Sequence, residues 1–202
     1  MLNITIVILG SYLLGSFPSA YIVSRYFSGI DLRLEGSRNI GARNAYEVTG
    51  KRRVGLLVLL FDVLKGAIPM LMFRDVGDVA AILAVAIVLG HCYPIWLRFH
   101  GGRGLATTAA ILILLSPIHI GVWLAVYFFS GLVRNNVHLQ SLVATIGCIV
   151  VELAVDTTAL TRAISPIVTE QTSIAHYCLL LIFSIIISRH IQPVRAYLKT
   201  TP

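Results

Sequence analysis

The chain has 202 residues, the length of one ordinary domain, but 57% of them are hydrophobic and only 12% are charged. Soluble proteins carry about 25% charged residues, so too little polar surface exists here to solvate a compact body in water. The composition excludes a disordered chain, a disulfide-stapled secreted module and a free nucleic-acid-binding domain, despite a formal net charge of +7. It is the composition of an integral membrane protein.

Six apolar runs follow one another along the chain, at about 2–24, 54–73, 79–97, 105–133, 139–155 and 174–188. The fourth run is 29 residues long and has Ser116-Pro117 near its centre. Proline removes a backbone donor and clashes with the preceding helical turn, so this run is expected to break into two helices. We therefore expect an all-α polytopic protein of about seven transmembrane helices, forming a single membrane domain over residues 1–202.

Lys and Arg residues are distributed unevenly among the segments that join these runs. If the N-terminus lies outside, thirteen of the 16 fall in cytoplasmic segments, Arg74 and Arg162 fall outside, and Lys65 lies within a run. Cytoplasmic loops of membrane proteins carry the excess of Lys and Arg. We therefore expect an external N-terminus and a cytoplasmic C-terminus.

The longest cytoplasmic segment, residues 25–53, interleaves glycines with arginines: Gly29, Gly36, Gly41 and Gly50 with Arg33, Arg38 and Arg43. Glycine lets the backbone approach an oxyanion closely, and arginine offers a forked donor that matches phosphate. The segment therefore predicts a phosphate site. It is not a nucleotide P-loop, because Ala42-Arg43 stands where that motif needs Lys followed by Ser or Thr.

A second glycine-rich segment, residues 98–104, contains Gly101, Gly102, Arg103 and Gly104 directly before the apolar run that starts at Leu105. It therefore abuts a predicted helix N-terminus, where free N–H groups and the positive end of the helix dipole favour an anion. A tight turn between two helices is the alternative interpretation, but such a turn needs about one glycine rather than three. The segment predicts an anion cradle on the same face as residues 25–53.

Asp62 and Lys65 lie three residues apart inside the second run and hence on one face of a helix. Charged side chains facing lipid are costly, so both are expected to face protein or water and to pair with each other or with loop arginines. Two interpretations stay open: a functional site, or an ion pair that only holds the helix in place.

Six histidines have no spacing typical of a metal site, so no metal is expected. His91 and His190 lie near the cytoplasmic ends of their runs, where a single histidine is more often a hydrogen-bond contact than a catalyst. The three cysteines, Cys92, Cys148 and Cys178, lie in apolar runs and are interpreted as packing residues.

Five short motifs occur in order along the first half of the chain. They are Gly15-Ser16-x-Pro18, Asp31-x-Arg33-x-x-Gly36-Ser37-x-Asn39-x-Gly41-Ala42-x-Asn44, Asp62-x-x-Lys65-Gly66, Gly90-His91-x-x-Pro94 and Phe99-x-Gly101-Gly102-x-Gly104-x-Ala106-Thr107. Together they resemble the acyl-phosphate-dependent glycerol-3-phosphate acyltransferases of bacterial membranes. The resemblance covers about residues 10–108 and continues weakly to His190.

This resemblance implies transfer of a fatty acyl group from acyl phosphate to the sn-1 hydroxyl of glycerol 3-phosphate, giving lysophosphatidate, with neither metal nor any other cofactor. It implies a multi-pass protein of the bacterial cytoplasmic (inner) membrane. The expected partners are the two substrates, membrane lipid and other enzymes of phospholipid synthesis, and not nucleic acid.

Individual residues have expected roles, which the resemblance implies except for Arg38 and Arg43, whose charge and spacing alone suggest theirs. Ser37, Asn39, Arg103 and His190 are the expected catalytic residues. The expected substrate-binding residues are Gly36, Arg38, Gly41, Arg43, Asn44, Lys65, His91, Gly101, Gly102 and Gly104.

The chain departs from the family pattern at several of these sites. Arg38 stands for a glycine, Glu47 for a phosphate-binding arginine, Arg103 for a lysine and Pro193 for an asparagine. Arg38 and Arg43 are hypothesised to supply the charge lost at position 47. Two other functions remain open: a non-catalytic relative that binds an anionic lipid or phosphate, and a transporter of a phosphorylated solute.

Overall fold

The computed structural model describes residues 3–74, 78–165 and 173–200, and the regular elements within these ranges are helices. In chain order they are α1 (Ile4–Gly15), α2 (Ser19–Ser28), α3 (Ala42–Thr49), α4 (Arg52–Met72), α5 (Asp78–Cys92), α6 (Leu105–Leu115), α7 (Pro117–Val133), α8 (Val137–Ala154), α9 (Thr158–Ile164) and α10 (Ser173–Thr200), with a short 3-10 helix at Ile95–Leu97. The predicted all-α class is confirmed. Residue 2, the expected start of the first run, lies outside the described ranges.

Five helical segments are long and apolar enough to cross a bilayer: Ile4–Ser28, Arg52–Met72, Asp78–Leu97, Val137–Ala154 and Ile174–Lys199. Large apolar side chains such as Leu71, Val150 and Leu181 face outward on these segments and are about half exposed. Lipid can cover such side chains at no cost, whereas water cannot. The chain is therefore an integral membrane protein. Because α6 and α7 are shorter, the count of seven crossings and the orientation stay predictions.

The fourth apolar run breaks at Ser116, as the sequence predicts. α6 ends at Leu115, and α7 begins with Pro117 at its first position, where the missing N–H would have no helical partner anyway. Ser116 and His119 are fully buried. The turn between the two helices therefore lies inside the protein.

The first apolar run also breaks, which the composition of the run does not predict. α1 ends at Gly15 and α2 begins at Ser19, one residue after Pro18. Proline cannot donate its backbone hydrogen bond and restricts the residue before it, so the continuous helix is interrupted here.

α5 lies at the centre of the molecule and packs against α1, α4 and α10. Its side chains Leu83 and Ile87 are fully buried with Ile182 and Phe183 of α10 in the main apolar core. The three cysteines are free and buried, and all three belong to this core, where the Cys148 thiol also contacts the His119 carbonyl of α7. Their interpretation as packing residues agrees with this position.

Two helix boundaries differ from the sequence prediction. The segment 25–53 is not only a loop, because it contains the end of α2 and the whole of α3. The last helix does not end near residue 188 but continues through Pro193 to Thr200. An apolar run measures the part of a helix that lipid covers, so the polar continuation of α10 has no hydropathy signal.

Candidate active site

A large cavity of about 1180 Å³ opens where the loop after α2, the loop before α6 and the C-terminal part of α10 meet. Among the described residues, its lining includes no acidic side chain but six arginines: Arg33, Arg38, Arg98, Arg103, Arg189 and Arg195. Low-dielectric walls lined with one sign of charge concentrate ions of the opposite sign. This arginine cavity is suited to an anionic ligand.

Ser37, Arg38 and Asn39 line the arginine cavity from a tight loop that Asn44 of α3 holds together. Asn44 is buried. Its Oδ1 accepts a hydrogen bond of 2.9 Å from the Ser37 N–H, and its Nδ2 donates to the Asn39 carbonyl, also at 2.9 Å. Both ends of the Asn44 amide therefore form hydrogen bonds with the loop backbone, so Asn44 positions Ser37 and Asn39.

Gly36 and Gly41 make this loop possible. Gly36 has a φ of +57°, and a Cβ there would lie 2.5 Å from the Asn44 Oδ1 and from a methyl group of Val48. Gly41 is the N-cap of α3, and a Cβ there would lie 2.9 Å from the Asn39 Nδ2. Neither glycine lines the arginine cavity, so both are required by the turn and by its packing.

Arg33 is the one lining arginine with a close carboxylate that the structure describes. Its guanidinium contacts Asp31 through hydrogen bonds of 2.6 and 2.9 Å and lies over the Tyr21 ring at 4.7 Å. The hydrogen bond from Arg33 lowers the pKa of Asp31, and the same bond raises the pKa of Arg33. Because this pair is nearly neutral, the positive potential of the cavity comes from the other five arginines.

Arg43 does not line the cavity. It forms an exposed salt bridge of 2.7 Å with Glu47, one turn along α3. Of the two arginines hypothesised to replace the charge lost at position 47, the structure therefore brings Arg38 into the cavity and pairs Arg43 with Glu47 itself.

Gly101 and Gly102 pack directly against His91, and a Cβ on either glycine would collide with that residue. Their N–H groups donate to the carbonyls of Cys92 and His91, at 3.2 and 3.1 Å. These two N–H groups are therefore used by the end of α5. The N–H groups that remain for an anion begin at Arg103.

The predicted junction between this loop and a helix N-terminus is confirmed. Gly104, with a φ of +82°, is the N-cap of α6. The first N–H groups of a helix have no partner within the helix and carry its positive end. Beside them, Arg103 is half-buried, and burial together with Arg189 and Arg43 lowers its pKa to about 10. A bound anion would relieve this unfavourable setting of the Arg103 cation.

Asp62 and Lys65 form the ion pair that their spacing predicts. The Lys65 Nζ lies 2.8 Å from the Asp62 Oδ1, and the Ser19 hydroxyl donates to the same oxygen at 2.8 Å. His91 Nδ1 lies 3.6 Å from this oxygen, and all four side chains are buried. These four residues and Gly102 border a small cleft. This cleft lies behind residues 98–104, the glycine loop, and is separate from the arginine cavity. His91 connects this network to the glycine loop, because it packs against Gly101 and Gly102. Substrate contact by Lys65 and His91 stays a prediction.

His190 lies behind the cavity wall on α10. It is buried, and its Nδ1 lies 2.9 Å from the Ile186 carbonyl, so Nδ1 carries the hydrogen and Nε2 is left as an acceptor. The ring of His138, which does line the cavity, lies 6.2 Å from the His190 ring. Pro193 also lines the cavity, where the resemblance leads one to expect an asparagine.

Several lining residues are not among the predicted site residues: Tyr93, Trp96, His138, Ser188 and Arg189. Tyr93 lies within the Gly90-His91-x-x-Pro94 motif, Trp96 follows it by two residues, and Arg189 adjoins His190, so proximity to a motif is the available signal. His138 lies in the first turn of α8 and has no local signal, because only tertiary packing brings it to the cavity.

A second cavity, of about 320 Å³, is lined mainly by apolar side chains of α6, α7 and α10, including Leu105, Leu112, Trp123, Phe183 and Ile186. The linings of this apolar cavity and of the arginine cavity come within two residues of each other along the chain at the start of α6, where Arg103 lines the arginine cavity and Leu105 lines the apolar one. The first cavity suits an anionic head and the second suits an apolar tail.

Comparison with known proteins gives consistent relatives. A family model described as glycerol-3-phosphate acyltransferase matches residues 5–200. A glycerol-3-phosphate acyltransferase of Syntrophotalea carbinolica is 43% identical over 125 residues, which are 59% of this chain and 63% of that relative. The enzyme of the same name from Staphylococcus carnosus is 36% identical over 163 residues, which are 75% of this chain and 80% of that relative.

Solved structures agree with the sequence relatives. The crystal structure of PlsY (YgiH), an integral membrane glycerol 3-phosphate acyltransferase, in its glycerol 3-phosphate form matches with a TM-score of 0.76 and 29% identity, over 97% of this chain and 92% of that one. Its lysophosphatidic acid form matches with a TM-score of 0.74. Because the family model covers nearly the whole chain, this chain belongs to the glycerol-3-phosphate acyltransferase family.

Proposed function

We propose that the protein transfers a fatty acyl group from acyl phosphate to the sn-1 hydroxyl of glycerol 3-phosphate, giving lysophosphatidate and inorganic phosphate. Family membership supports the acyltransferase activity and the acceptor. The observation that carries the proposal is that residues only two positions apart at the start of α6, Arg103 and Leu105, line the arginine cavity and the apolar cavity respectively. An acyl phosphate has the same division into an anionic head and an apolar chain.

The acyl phosphate occupies both cavities. Its phosphate interacts with Arg103 and with the free N–H groups of the first turn of α6, and its chain enters the apolar cavity. A cavity of about 150 Å³ accepts benzene, so the 320 Å³ of this one corresponds to roughly a dozen carbon atoms. The rest of a longer chain extends into lipid.

Glycerol 3-phosphate lies in the arginine cavity on the side of the 37–39 loop. Arg38 contributes positive charge for its phosphate, and Ser37 and Asn39 hydrogen-bond to it or to the glycerol hydroxyls. Asn44 and the glycines Gly36, Gly41, Gly101, Gly102 and Gly104 shape the two loops that hold the substrates.

In the reaction the sn-1 hydroxyl oxygen forms a bond to the acyl carbonyl carbon, and the bond from that carbon to the phosphate oxygen breaks with its electrons on phosphate. Arg103 and the N-terminus of α6 stabilise the negative charge that develops on the carbonyl oxygen. The hydroxyl proton passes to the departing phosphate. His190, whose Nδ1 is committed to the Ile186 carbonyl, supports this step from behind the cavity wall through the neighbouring ring of His138, which lines the cavity.

Residues 1–202 form one membrane domain in the bacterial cytoplasmic membrane, with seven transmembrane helices and the N-terminus outside. This orientation puts the loops 25–53 and 98–104 at the cytoplasmic face, and the bias of thirteen of the 16 Lys and Arg residues supports it. Enzymes that make acyl phosphate or consume lysophosphatidate are candidate partners, and no cofactor is needed.

The test is lysophosphatidate formation by the purified protein in lipid, from palmitoyl phosphate and radiolabelled glycerol 3-phosphate. We expect turnover, and we expect Ser37→Ala to lower kcat/KM about 100-fold, since loss of one polar contact to the reacting groups commonly costs this much. Ser184→Ala is the matched control, because the Ser184 hydroxyl is exposed and bonds only within α10 to the Leu180 carbonyl.

Two other outcomes would contradict the proposal. Folded protein that binds either substrate but forms no lysophosphatidate would indicate a non-catalytic relative. Accumulation of labelled glycerol 3-phosphate inside proteoliposomes, without an acyl donor and without labelled lipid, would indicate a transporter.

A further inference from the structure

Arg189 of α10 is bound to the glycine loop by two hydrogen bonds. Its Nη2 donates to the Gly101 carbonyl at 2.8 Å, and its Nε donates to the Gly102 carbonyl at 3.1 Å. The guanidinium also lies over the Tyr93 ring, 5.2 Å from its centroid. Arg189 thus contacts Tyr93, the first residue after α5, and also the two glycines that precede Arg103 in the glycine loop.

These contacts complete the backbone hydrogen bonding of Gly101 and Gly102. The N–H groups of Gly101 and Gly102 donate to α5 carbonyls, and their own carbonyls accept from Arg189. The Tyr93 and Ser188 hydroxyls lie 2.8 Å apart, so α10 is fastened to the same region a second time. The loop is therefore fixed from three directions: by α5, by α10 and by the buried network around Asp62 behind it.

The fork of an arginine suits this position. Two carbonyl oxygens facing a phosphate site would repel the phosphate, because both carry partial negative charge. A guanidinium can bind two such oxygens at once and leave net positive charge in the cavity, whereas a lysine ammonium is a point charge on a flexible stem. Arg189 itself lines the arginine cavity, so its charge reaches the ligand.

We propose that Arg189 is a positioning residue: it turns the carbonyls of Gly101 and Gly102 away from the ligand and holds the loop so that Arg103 and the start of α6 face the phosphate of the acyl donor. This inference rests on the proposed function. It predicts that loss of Arg189 weakens binding of phosphate and of acyl phosphate more than binding of glycerol 3-phosphate.

The first test measures binding without turnover. The chain has two tryptophans, one in each cavity, so Trp123→Phe leaves Trp96 as the sole fluorescence reporter in the arginine cavity. Titration with inorganic phosphate should give a Kd on the order of 100-fold weaker when Arg189→Ala is added, because two hydrogen bonds to a charged donor are lost. Arg189→Lys should be intermediate.

Chemical rescue separates positioning from folding. Guanidinium ion at about 50 mM, far below denaturing concentrations, should restore much of the phosphate affinity of Arg189→Ala. It should also lower the raised KM for palmitoyl phosphate, with the KM for glycerol 3-phosphate changing less. Arg25→Ala is the matched control, because Arg25 also donates to a glycine carbonyl, that of Gly29 at 2.8 Å, but lies outside the cavity.

The outcomes distinguish the two proposals. An unchanged phosphate Kd in Arg189→Ala, or a loss that guanidinium does not restore, would overturn the positioning role. Protein that binds phosphate in the expected manner but forms no lysophosphatidate would overturn the proposed function and leave the role of Arg189 in place.

Discussion

At the scale of single residues, Arg103 carries its charge in a setting that opposes it. It is half-buried, and Arg189 and Arg43 act on it with the same sign. Cations held close together repel one another, and a bound anion offsets this repulsion, so the site favours binding of an anionic ligand. The same arrangement makes the protonation of Arg103 sensitive to alkaline pH, which an ordinary surface arginine is not.

Activity should therefore fall at high pH in a way that depends on the residue at position 103. The pKa of Arg103 is lowered to about 10 by burial and the neighbouring cations, so the charge is present below that pH and is lost as pH rises through it. A lysine starts from a pKa of about 10.4 and would be depressed in the same setting, so Arg103→Lys should lose kcat/KM from about pH 8.

This prediction is checked by kcat/KM for glycerol 3-phosphate between pH 7 and 10.5, with non-enzymatic hydrolysis of the acyl donor subtracted. The phosphate of the acceptor titrates near pH 6, so its charge is constant over this range. Arg53→Lys, an exposed position at the start of α4, should follow the unsubstituted protein. Superimposable profiles for positions 53 and 103 would argue against a role for the Arg103 charge.

At the scale of helices, close packing in this protein depends on glycine. A Cβ at Gly15 of α1 would collide with the backbone of Ile87 in α5, and a Cβ at Gly90 of α5 would collide with the backbone of Tyr12 in α1. Small residues let helix backbones approach within a membrane, where packing rather than the hydrophobic effect drives association. The α1–α5 contact therefore has no room for a methyl group.

Gly15→Ala should lower the stability of the folded protein by about 1–3 kcal/mol, because the obstacle is backbone and the helices must separate to accept the methyl group. Gly10→Ala is a matched control on the same helix, since no described atom lies within 4 Å of a Cβ there, and alanine favours helix over glycine. Thermal unfolding in one detergent should show a lower Tm for the first variant only. Equal Tm values would mean that the α1–α5 contact is looser than described.

The elements differ in how far the sequence predicts them. Apolar runs identify the long helices, and Ser116-Pro117 identifies the turn between α6 and α7. Hydropathy misses the break before Pro18 because both halves are apolar, and it misses α3 and the end of α10 because both are polar.

The sequence likewise predicts some parts of the candidate site and not others. Short-range motifs predict the 37–44 and 101–104 loops, since neighbouring residues build them. They do not distinguish a scaffold residue such as Asn44 from a ligand contact. His138 and Arg189 come from helices far away in sequence, so their places depend on packing that no local pattern encodes.

At the scale of the whole molecule, α6 and α7 are expected to leave and return to one face of the membrane, because Arg103 before α6 and His138 after α7 line the same cavity. α6 has 11 residues, or roughly 16 Å at 1.5 Å per residue, about half of a bilayer core. Its turn into α7 is buried, and the Ser165 hydroxyl donates to the Leu114 carbonyl at 2.7 Å. A hairpin that leaves and returns to one face adds an even number of crossings, so we expect the five long segments to decide the faces of the termini and to put them on opposite sides.

The charge bias then selects the orientation, and cysteine labelling can test it. We expect Ala163→Cys, an exposed position in α9, to react with a membrane-impermeant maleimide in intact spheroplasts. Arg53→Cys and Lys199→Cys, also exposed, should react only after the membrane is opened. The three native cysteines are buried, so the unsubstituted protein is the background control. Labelling of Arg53→Cys in intact spheroplasts would put the arginine cavity on the outer face, away from a cytoplasmic supply of acyl phosphate, and would contradict the proposed reaction as well as the orientation.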